Sequence, residues 1–348
     1  MKALTREPSG AERIPVFPDA AGVAALAQLA CLLEASAPKP GNVSPGRHFA
    51  DTRYEHFLAS AAAIGGPLAG VGDRPLGAAI RLAIESTSRF TSANTNLGIV
   101  LLLVPLARAA ALDGLGPDPA NGDIRGLTPL GAPSGVGATP GADWATPGAD
   151  SRSLRWRDSR LQELRTSVHQ VLAVTTVDDA RDVYAAIRLA SPGGLGEVET
   201  EDVAGEPTLT LLDAMRLAAH RDGIAREYAT GFATTFDVGT PALIRARRDG
   251  FSWDDAVVET FLTLLAAAPD THIARRGGGA LADDVTRQAA AVIAAGGVRS
   301  DEGRRAIAGM DAALRGPRNT ANPGTTADLT AATIFAFLLA GGWHMDEQ

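Results

Sequence analysis

The sequence holds a single cysteine, Cys31, among its 348 residues. No disulfide can form within the chain, and a reducing compartment is its natural setting, so a cytoplasmic location is expected. Aromatic residues are scarce at 5%. A core that relies on Ala and Leu instead suits helices, where both lose little entropy, and not sheets, which draw on β-branched and aromatic side chains. Positive charge is not in excess either: 32 Lys and Arg stand against 40 Asp and Glu, a net charge of -8. That excludes the basic footprint of a nucleic-acid-binding protein, although a local basic pocket is still compatible with a nucleotide. The best apolar runs, residues 99–106 and 331–340, fall short of the roughly 20 residues that span a bilayer. No membrane partner is expected, and both runs read as buried helices. Residues 1–17 mix charge with proline and lack an apolar stretch, so they do not read as a signal peptide. Zinc-spaced Cys/His clusters, a Gly-x-Ser-x-Gly elbow and a Walker phosphate loop are all missing.

What is present is helix after helix. Apolar periodicity and stop signals predict helices over 21–36, closed by Pro38 and Pro40, and from 51 or 52 to 64, stopped by Gly65, Gly66 and Pro67. Further helices are predicted over 75–89, 95–111, 161–172, 177–190 with Thr176 as N-cap, 207–220, 224–235 and 240–248. Ser252 opens a capping box before 256–268, and 281–295, 301–314 and 326–339 complete the set. No alternating strand pattern competes with them. The expectation is an all-α fold, a single large multi-helix bundle-like domain over 1–348, and the lack of a fixed repeat excludes a solenoid. Residues 113–152 differ: Gly, Pro, Ala and Asp dominate, and Ala-Thr-Pro-Gly-Ala-Asp occurs at 138–143 and again at 145–150. Such a segment cannot bury enough apolar area to offset its ordering entropy, and it reads as a disordered or mobile insertion.

Four stretches look unlike packing. Residues 37–43 run Ala-Pro-Lys-Pro-Gly-Asn-Val and continue through Arg47, His48, Asp51, Glu55 and His56. The prolines stiffen a loop and Gly41 allows close backbone approach, so Lys39 and Arg47 can hold phosphate oxygens; a plain helix connector with solvated charges is the other reading. Asp51 and Glu55, four apart, would share a helix face, with Asp51 also suited to cap the helix. Residues 91–98, Thr-Ser-Ala-Asn-Thr-Asn-Leu-Gly, precede a very apolar helix whose free N–H groups suit an anion or ordinary capping by Asn94 or Thr95. Residues 269–279, Pro-Asp-Thr-His-Ile-Ala-Arg-Arg-Gly-Gly-Gly, read as a phosphate-contacting loop. Residues 322–329, Asn-Pro-Gly-Thr-Thr-Ala-Asp-Leu, open the last apolar helix with hydroxyls and a carboxylate, suited to a capping box or to a metal-bound phosphate. Cys31, in an apolar helix, reads as a core residue.

Together, Pro38 to Val43 with His48 and Asp51, residues 57–61, Asn94 to Gly98, Pro269 to Thr271 with Arg276 to Gly278, and Asn322 to Leu329 resemble the triphosphoribosyl-dephospho-CoA synthase family, in its order. The segment 46–56 is similar to a divergent branch, commoner in archaea and in bacteria whose C1 metabolism uses tetrahydromethanopterin. The resemblance implies an all-helical fold and magnesium-dependent transfer of the triphosphoribosyl group of ATP to the ribose 2′-hydroxyl of 3′-dephospho-CoA, with release of adenine. On that basis Lys39, Arg47 and Arg276 are expected at phosphates, with Asn94 and Asn96 positioning them. Gly41, Gly277, Gly278, Thr325 and Thr326 complete the expected nucleotide-binding set. Asp270 and Asp328 are the expected Mg²⁺ ligands, and Asp51 or Glu55 the base, with His48 as rival. The alternatives are a phosphoribosyl-type transferase or ribosyl-nucleotide glycohydrolase in pterin-cofactor synthesis, and a non-catalytic nucleotide-binding protein. The oligomeric state is left open.

Overall fold

A computed structural model describes residues 19–113, 151–192, 201–316 and 319–343. The expected insertion at 113–152 lies outside the described residues except at its ends, which continue the flanking helices. Among the described residues the backbone forms fifteen α-helices and no strand; the one β-bridge is isolated, between Ser44 and Arg47. The all-α expectation therefore holds. No helix among them is long and apolar enough to cross a membrane.

The helices are α1 (Ala20–Ser36), α2 (Tyr54–Ala63), α3 (Gly65–Ala69), α4 (Leu76–Ser88) and α5 (Leu97–Asp113). Then follow α6 (Ser151–Ala173), α7 (Val177–Ala190), α8 (Leu211–Ala218), α9 (Gly223–Thr230) and α10 (Thr240–Arg248). The last five are α11 (Trp253–Ala267), α12 (Thr271–Gly277), α13 (Gly279–Ala294), α14 (Asp301–Leu314) and α15 (Gly324–Leu339). The two most apolar, α5 and α15, pack on α1 and on each other at the centre, and one hydrophobic cluster runs from Val23 to Ala340. Every residue from Leu329 to Ala340 is buried, as expected of a helix that is apolar on all sides.

Three local expectations change. The helix predicted to stop at Gly65-Gly66-Pro67 restarts there as α3, because proline is tolerated in a first turn where its missing N–H is not needed. Asp51 precedes α2, whose N-cap is Arg53 in a reciprocal pair with His56, so Asp51 and Glu55 do not share a helix face. The segment read as an arginine-glycine loop is α12, capped by Asp270, followed directly by α13.

Pro105 lies inside α5 and offers no N–H to the carbonyl of Leu101, four residues earlier. Tyr228 of α9 fills the gap: its buried hydroxyl donates to that carbonyl at 2.6 Å. Tyr228→Phe is expected to leave a buried carbonyl unsatisfied and cost about 1–3 kcal/mol in chemical denaturation. An unchanged midpoint would show that water replaces the hydroxyl. One residue earlier, the fully buried Glu227 accepts from Thr234 N (2.9 Å) and from Thr235 N (2.9 Å) and Oγ1 (2.7 Å), which anchors a short π-helical segment (Thr234–Gly239) ahead of α10.

Candidate functional site

The carboxylate of Asp270 joins two helix starts. Its Oδ1 accepts from His272 N (2.8 Å) and Ile273 N (3.0 Å), capping α12, and its Oδ2 accepts from Thr326 N and Oγ1, both 2.7 Å, in the first turn of α15. Thr271 Oγ1 accepts from Gly223 N at 3.0 Å and lies 3.1 Å from Thr325 Oγ1, which brings in the start of α9. Asp222 caps α9 through Ile224 N (2.9 Å) and Ala225 N (3.0 Å), and pairs with Arg275 of α12 at 2.5 Å. The start of α5 completes the group. A Cβ on Gly98 would lie 2.0 Å from Asp328 Oδ2, so only glycine lets the α15 carboxylate lie against α5. Four helix N-termini thus meet, their N–H groups largely taken by Asp270, Asp222, Thr271 and Asn94 and the positive ends of their dipoles turned together, an arrangement that favours anions.

Beside them opens a cavity of ≈ 1050 Å³. Its polar walls carry Glu34 from the end of α1, Asn42 and Asp51 from the following loop, Asn94 and Asn96 ahead of α5, and Asn322, Thr325 and Asp328 at α15. Arg221, Asp222, His272, Arg275 and Arg276 come from the starts of α9 and α12. Burial, then the charges of Glu34 and Asp270, raise the Asp328 carboxyl well above its ordinary value. Among the described residues nothing donates a hydrogen bond to it. Glu34 is paired 3.0 Å from Lys39 Nζ, and both are buried. His272 is held neutral to lower pH than usual, chiefly by burial, against the opposing pull of Asp270. Its Nδ1 lies 3.0 Å from the carbonyl of Asn322, which can only accept, so Nδ1 carries the proton and Nε2 keeps its lone pair. Cys31 is buried in α1, and its thiol is pushed up by burial and by Glu34, which makes it inert.

Of the residues singled out in the sequence, Asp51, Asn94, Asn96, Arg276, Thr325 and Asp328 border the cavity. The others stand back from it. Lys39 lies in the interior, where its ammonium donates to the carbonyls of Glu34 and Ala37 and caps the C-terminus of α1. Gly41 N–H donates to Asp311 Oδ1 at 2.8 Å, and Arg47 pairs with the same carboxylate at 2.6 Å, so α14 anchors the loop. His48 Nδ1 accepts from Tyr54 N (3.2 Å), and the exposed Glu55 lies 3.4 Å from Arg53. Gly277 ends α12, and Gly278, at φ 91°, links it to α13. Thr326 is committed to Asp270, whose two oxygens each accept twice. Asn94 caps α5 through Leu97 N (3.2 Å), and Asn96 donates to Thr87 Oγ1 (3.0 Å). Sequence reasoning did not single out Glu34, Arg221, Asp222, His272 or Arg275 as site residues. His272 and Arg275 lie inside a quoted motif and were within reach; Glu34 and Asp222 carry no local mark.

Fold and site define a class: an all-helical protein whose helix N-termini gather arginines and carboxylates on one side of a large cavity. Residues 20–347 match the family CitG, described as ATP:dephospho-CoA triphosphoribosyl transferase, and the chain belongs to that family. It is 34% identical over 119 residues to the 2-(5''-triphosphoribosyl)-3'-dephosphocoenzyme-A synthase of Klebsiella pneumoniae, covering 34% of this chain and 42% of that one. A protein of Pseudomonas savastanoi pv. phaseolicola, provisionally given the same name, is 35% identical over 174 residues, 47% of this chain and 55% of the other. The matched segments thus span less than two thirds of these relatives. A crystal structure from Archaeoglobus fulgidus, provisionally assigned as a triphosphoribosyl-dephospho-CoA synthase, superposes with a TM-score of 0.54 at 25% identity, covering 82% of this chain and 99% of that one.

Proposed function

We propose that this chain transfers the triphosphoribosyl group of ATP to a ribose hydroxyl of 3′-dephospho-CoA, releasing adenine. The observation that carries the reading is the meeting of four helix N-termini and three arginines on a cavity that also holds Glu34 and Asp328. The arginines Arg221, Arg275 and Arg276, with the positive dipole ends of the helix starts, suit a triphosphate. The bond from ribose C1′ to the adenine nitrogen breaks, a bond from C1′ to the acceptor oxygen forms, and the acceptor's proton ends on adenine. The intervening state has oxocarbenium character, which nearby carboxylates stabilise. Asp328 and Glu34 supply that field. His272, neutral and pinned through Nδ1, offers Nε2 as the acceptor for the hydroxyl proton, with Asp51 at the rim as the rival base. Among the described residues no group of three or more His, Cys, Asp or Glu could hold a metal by itself, but two of the carboxylates that line the cavity, Glu34 and Asp328, suit magnesium, which binds through one or two carboxylates together with substrate phosphates. Magnesium bound there would neutralise phosphate oxygens while Asp328 and Glu34 hold it.

Incubation with ATP, Mg²⁺ and 3′-dephospho-CoA is expected to release adenine only when the acceptor is present, followed by chromatography. ATP binding without acceptor-dependent adenine would overturn the reading. His272→Gln is expected to lower kcat by about 10²–10⁴. Because burial depresses the histidine's pKa, the wild-type acid limb should lie below pH 6.5, the ordinary value, and the glutamine variant should lose that limb. The same depression means that folding stability, present above that value, is lost as pH falls through the window beneath it. An acid limb unchanged in the variant would assign the base to Asp51.

A further inference from the structure

The cavity is larger than a nucleotide triphosphate requires, near the upper end of what single-ligand pockets occupy. The part formed by α7, α8 and the segment after residue 200 is aliphatic. Val183 and Ile187 of α7, Leu211, Met215 and Ala218 of α8, and Val203 between them line it at helical spacing. Val183 and Leu211 belong to the core, whereas Ile187, Val203, Met215 and Ala218 are only partly buried, so the stripes run from the core, on which Ile187 and Met215 pack, out to the cavity.

The wall is built in advance. Tyr184 donates its hydroxyl to the Glu201 carbonyl (3.0 Å) and Oε2 (3.1 Å), and Arg188 donates to the Val203 carbonyl at 2.6 Å, so α7 holds the 201–203 segment in place. Glu201 is used up inside this clasp: Oε1 accepts from Thr208 N (3.0 Å) and from Thr208 Oγ1. Among the described residues of the lobe, Ser191 donates its hydroxyl to the Arg188 carbonyl at 2.9 Å and Glu201 is held in the clasp, so neither is set to read the edge of a purine, and the ring of Tyr184 is tied through its hydroxyl. A flexible, mostly aliphatic chain is the occupant this lining recognises. Arg221, at the turn from α8 into α9, borders both lobe and polar site, where a phosphate at the head of such a chain would lie.

We infer that the α7–α8 lobe binds the pantetheine arm of the acceptor and selects an acceptor that carries one. The inference rests on the proposed transfer reaction and names the subsite it requires. The test compares two acceptors that differ in the arm, 3′-dephospho-CoA and ADP, in the wild type and in Met215→Gln and Ile187→Thr. Both replaced side chains face the cavity, which limits damage to the fold, and circular dichroism checks it. The wild type should prefer dephospho-CoA. Each variant should lower kcat/KM for dephospho-CoA about 10-fold, the worth of a lost apolar contact, with the ADP value and the KM for ATP within about two-fold. Met215→Leu should restore the preference. Equal losses on both acceptors would overturn the inference, as would a raised KM for ATP with acceptor preference intact. Binding of pantetheine alone, followed by saturation-transfer NMR, separates this from the reaction itself. If no acceptor supports turnover, the functional reading fails, yet pantetheine binding weakened by Met215→Gln still supports the lobe. No pantetheine binding by the wild type sinks it.

Discussion

Asp328→Asn is expected to abolish most turnover and to stabilise the fold. Asp328 opens into the cavity beside Glu34, has no hydrogen-bond donor among the described residues, and holds its proton well above the ordinary range because of burial and its acidic neighbours Glu34, Asp270 and Asp222, against the pull of Arg275. A carboxyl whose pKa is raised in the fold binds its proton more tightly there than in the unfolded chain. Stability is therefore greatest at low pH and falls as pH rises from about 3.9 through the folded value. Asparagine has the same shape, fits the space left by Gly98 and carries no such penalty. The variant should gain about 1–2 kcal/mol at pH 8, the usual size of such a gain, and little or nothing near pH 4. Turnover should fall by about 10²–10³, as when one electrostatic group at a reacting centre is lost. Thermal melts at the two pH values, with a metal chelator present, and an adenine-release assay check both halves. Undiminished turnover would remove Asp328 from the chemistry. A variant less stable than wild type at every pH would mean that the carboxylate is held by contacts that favour its charge.

Lys39→Met is expected to cost about 3–5 kcal/mol of stability, because it leaves the carboxylate of Glu34 buried without its partner and strips the cap from α1. Lys39 is 1% exposed and Glu34 3%, so solvent cannot replace the ammonium. Adding Glu34→Gln to the Lys39→Met chain should recover part of the loss, since the unpaired charge is then gone, whereas Glu34→Gln should impair turnover by itself. Urea unfolding of the two single variants and the double variant measures the coupling. The sequence places Lys39 on substrate phosphate, and the same variant examines that role. A several-fold rise in KM for ATP with an unchanged unfolding midpoint would favour phosphate contact, while a lost midpoint with KM nearly unchanged in the residual folded protein would favour the structural pair.

The helices were largely legible. The predicted spans 177–190 and 301–314 coincide with α7 and α14, and Thr176 caps α7 in a reciprocal pair with Asp179. Ser252 caps α11 through Asp255 N at 3.2 Å, as its capping box indicated. α12 was not legible, because seven residues ending in Arg-Arg-Gly bury only Thr271 and Ile273 and show no periodic apolar stripe. The site was legible in part for the same kind of reason. Asn94, Thr325 and Asp328 announce themselves as polar residues at the mouth of apolar helices. Glu34 is a lone carboxylate in an Ala- and Leu-rich helix and gains its meaning only where the end of α1 meets the start of α15. Asp222 reads as an ordinary turn residue until Arg275, 53 positions later, pairs with it.

The sequence by itself determined that the chain is helical, where most helices begin, which starts are unusually polar, and which family it resembles. All of these follow from short-range physics: caps, periodicity and turn chemistry act over one or two turns. Only the tertiary structure decided which polar starts share a cavity, that Lys39 and Asp270 spend their charges holding helices together, and that Asp328 stands among three acidic neighbours. Those outcomes depend on residues far apart in the chain being packed side by side, and no local pattern encodes which helix end will face which.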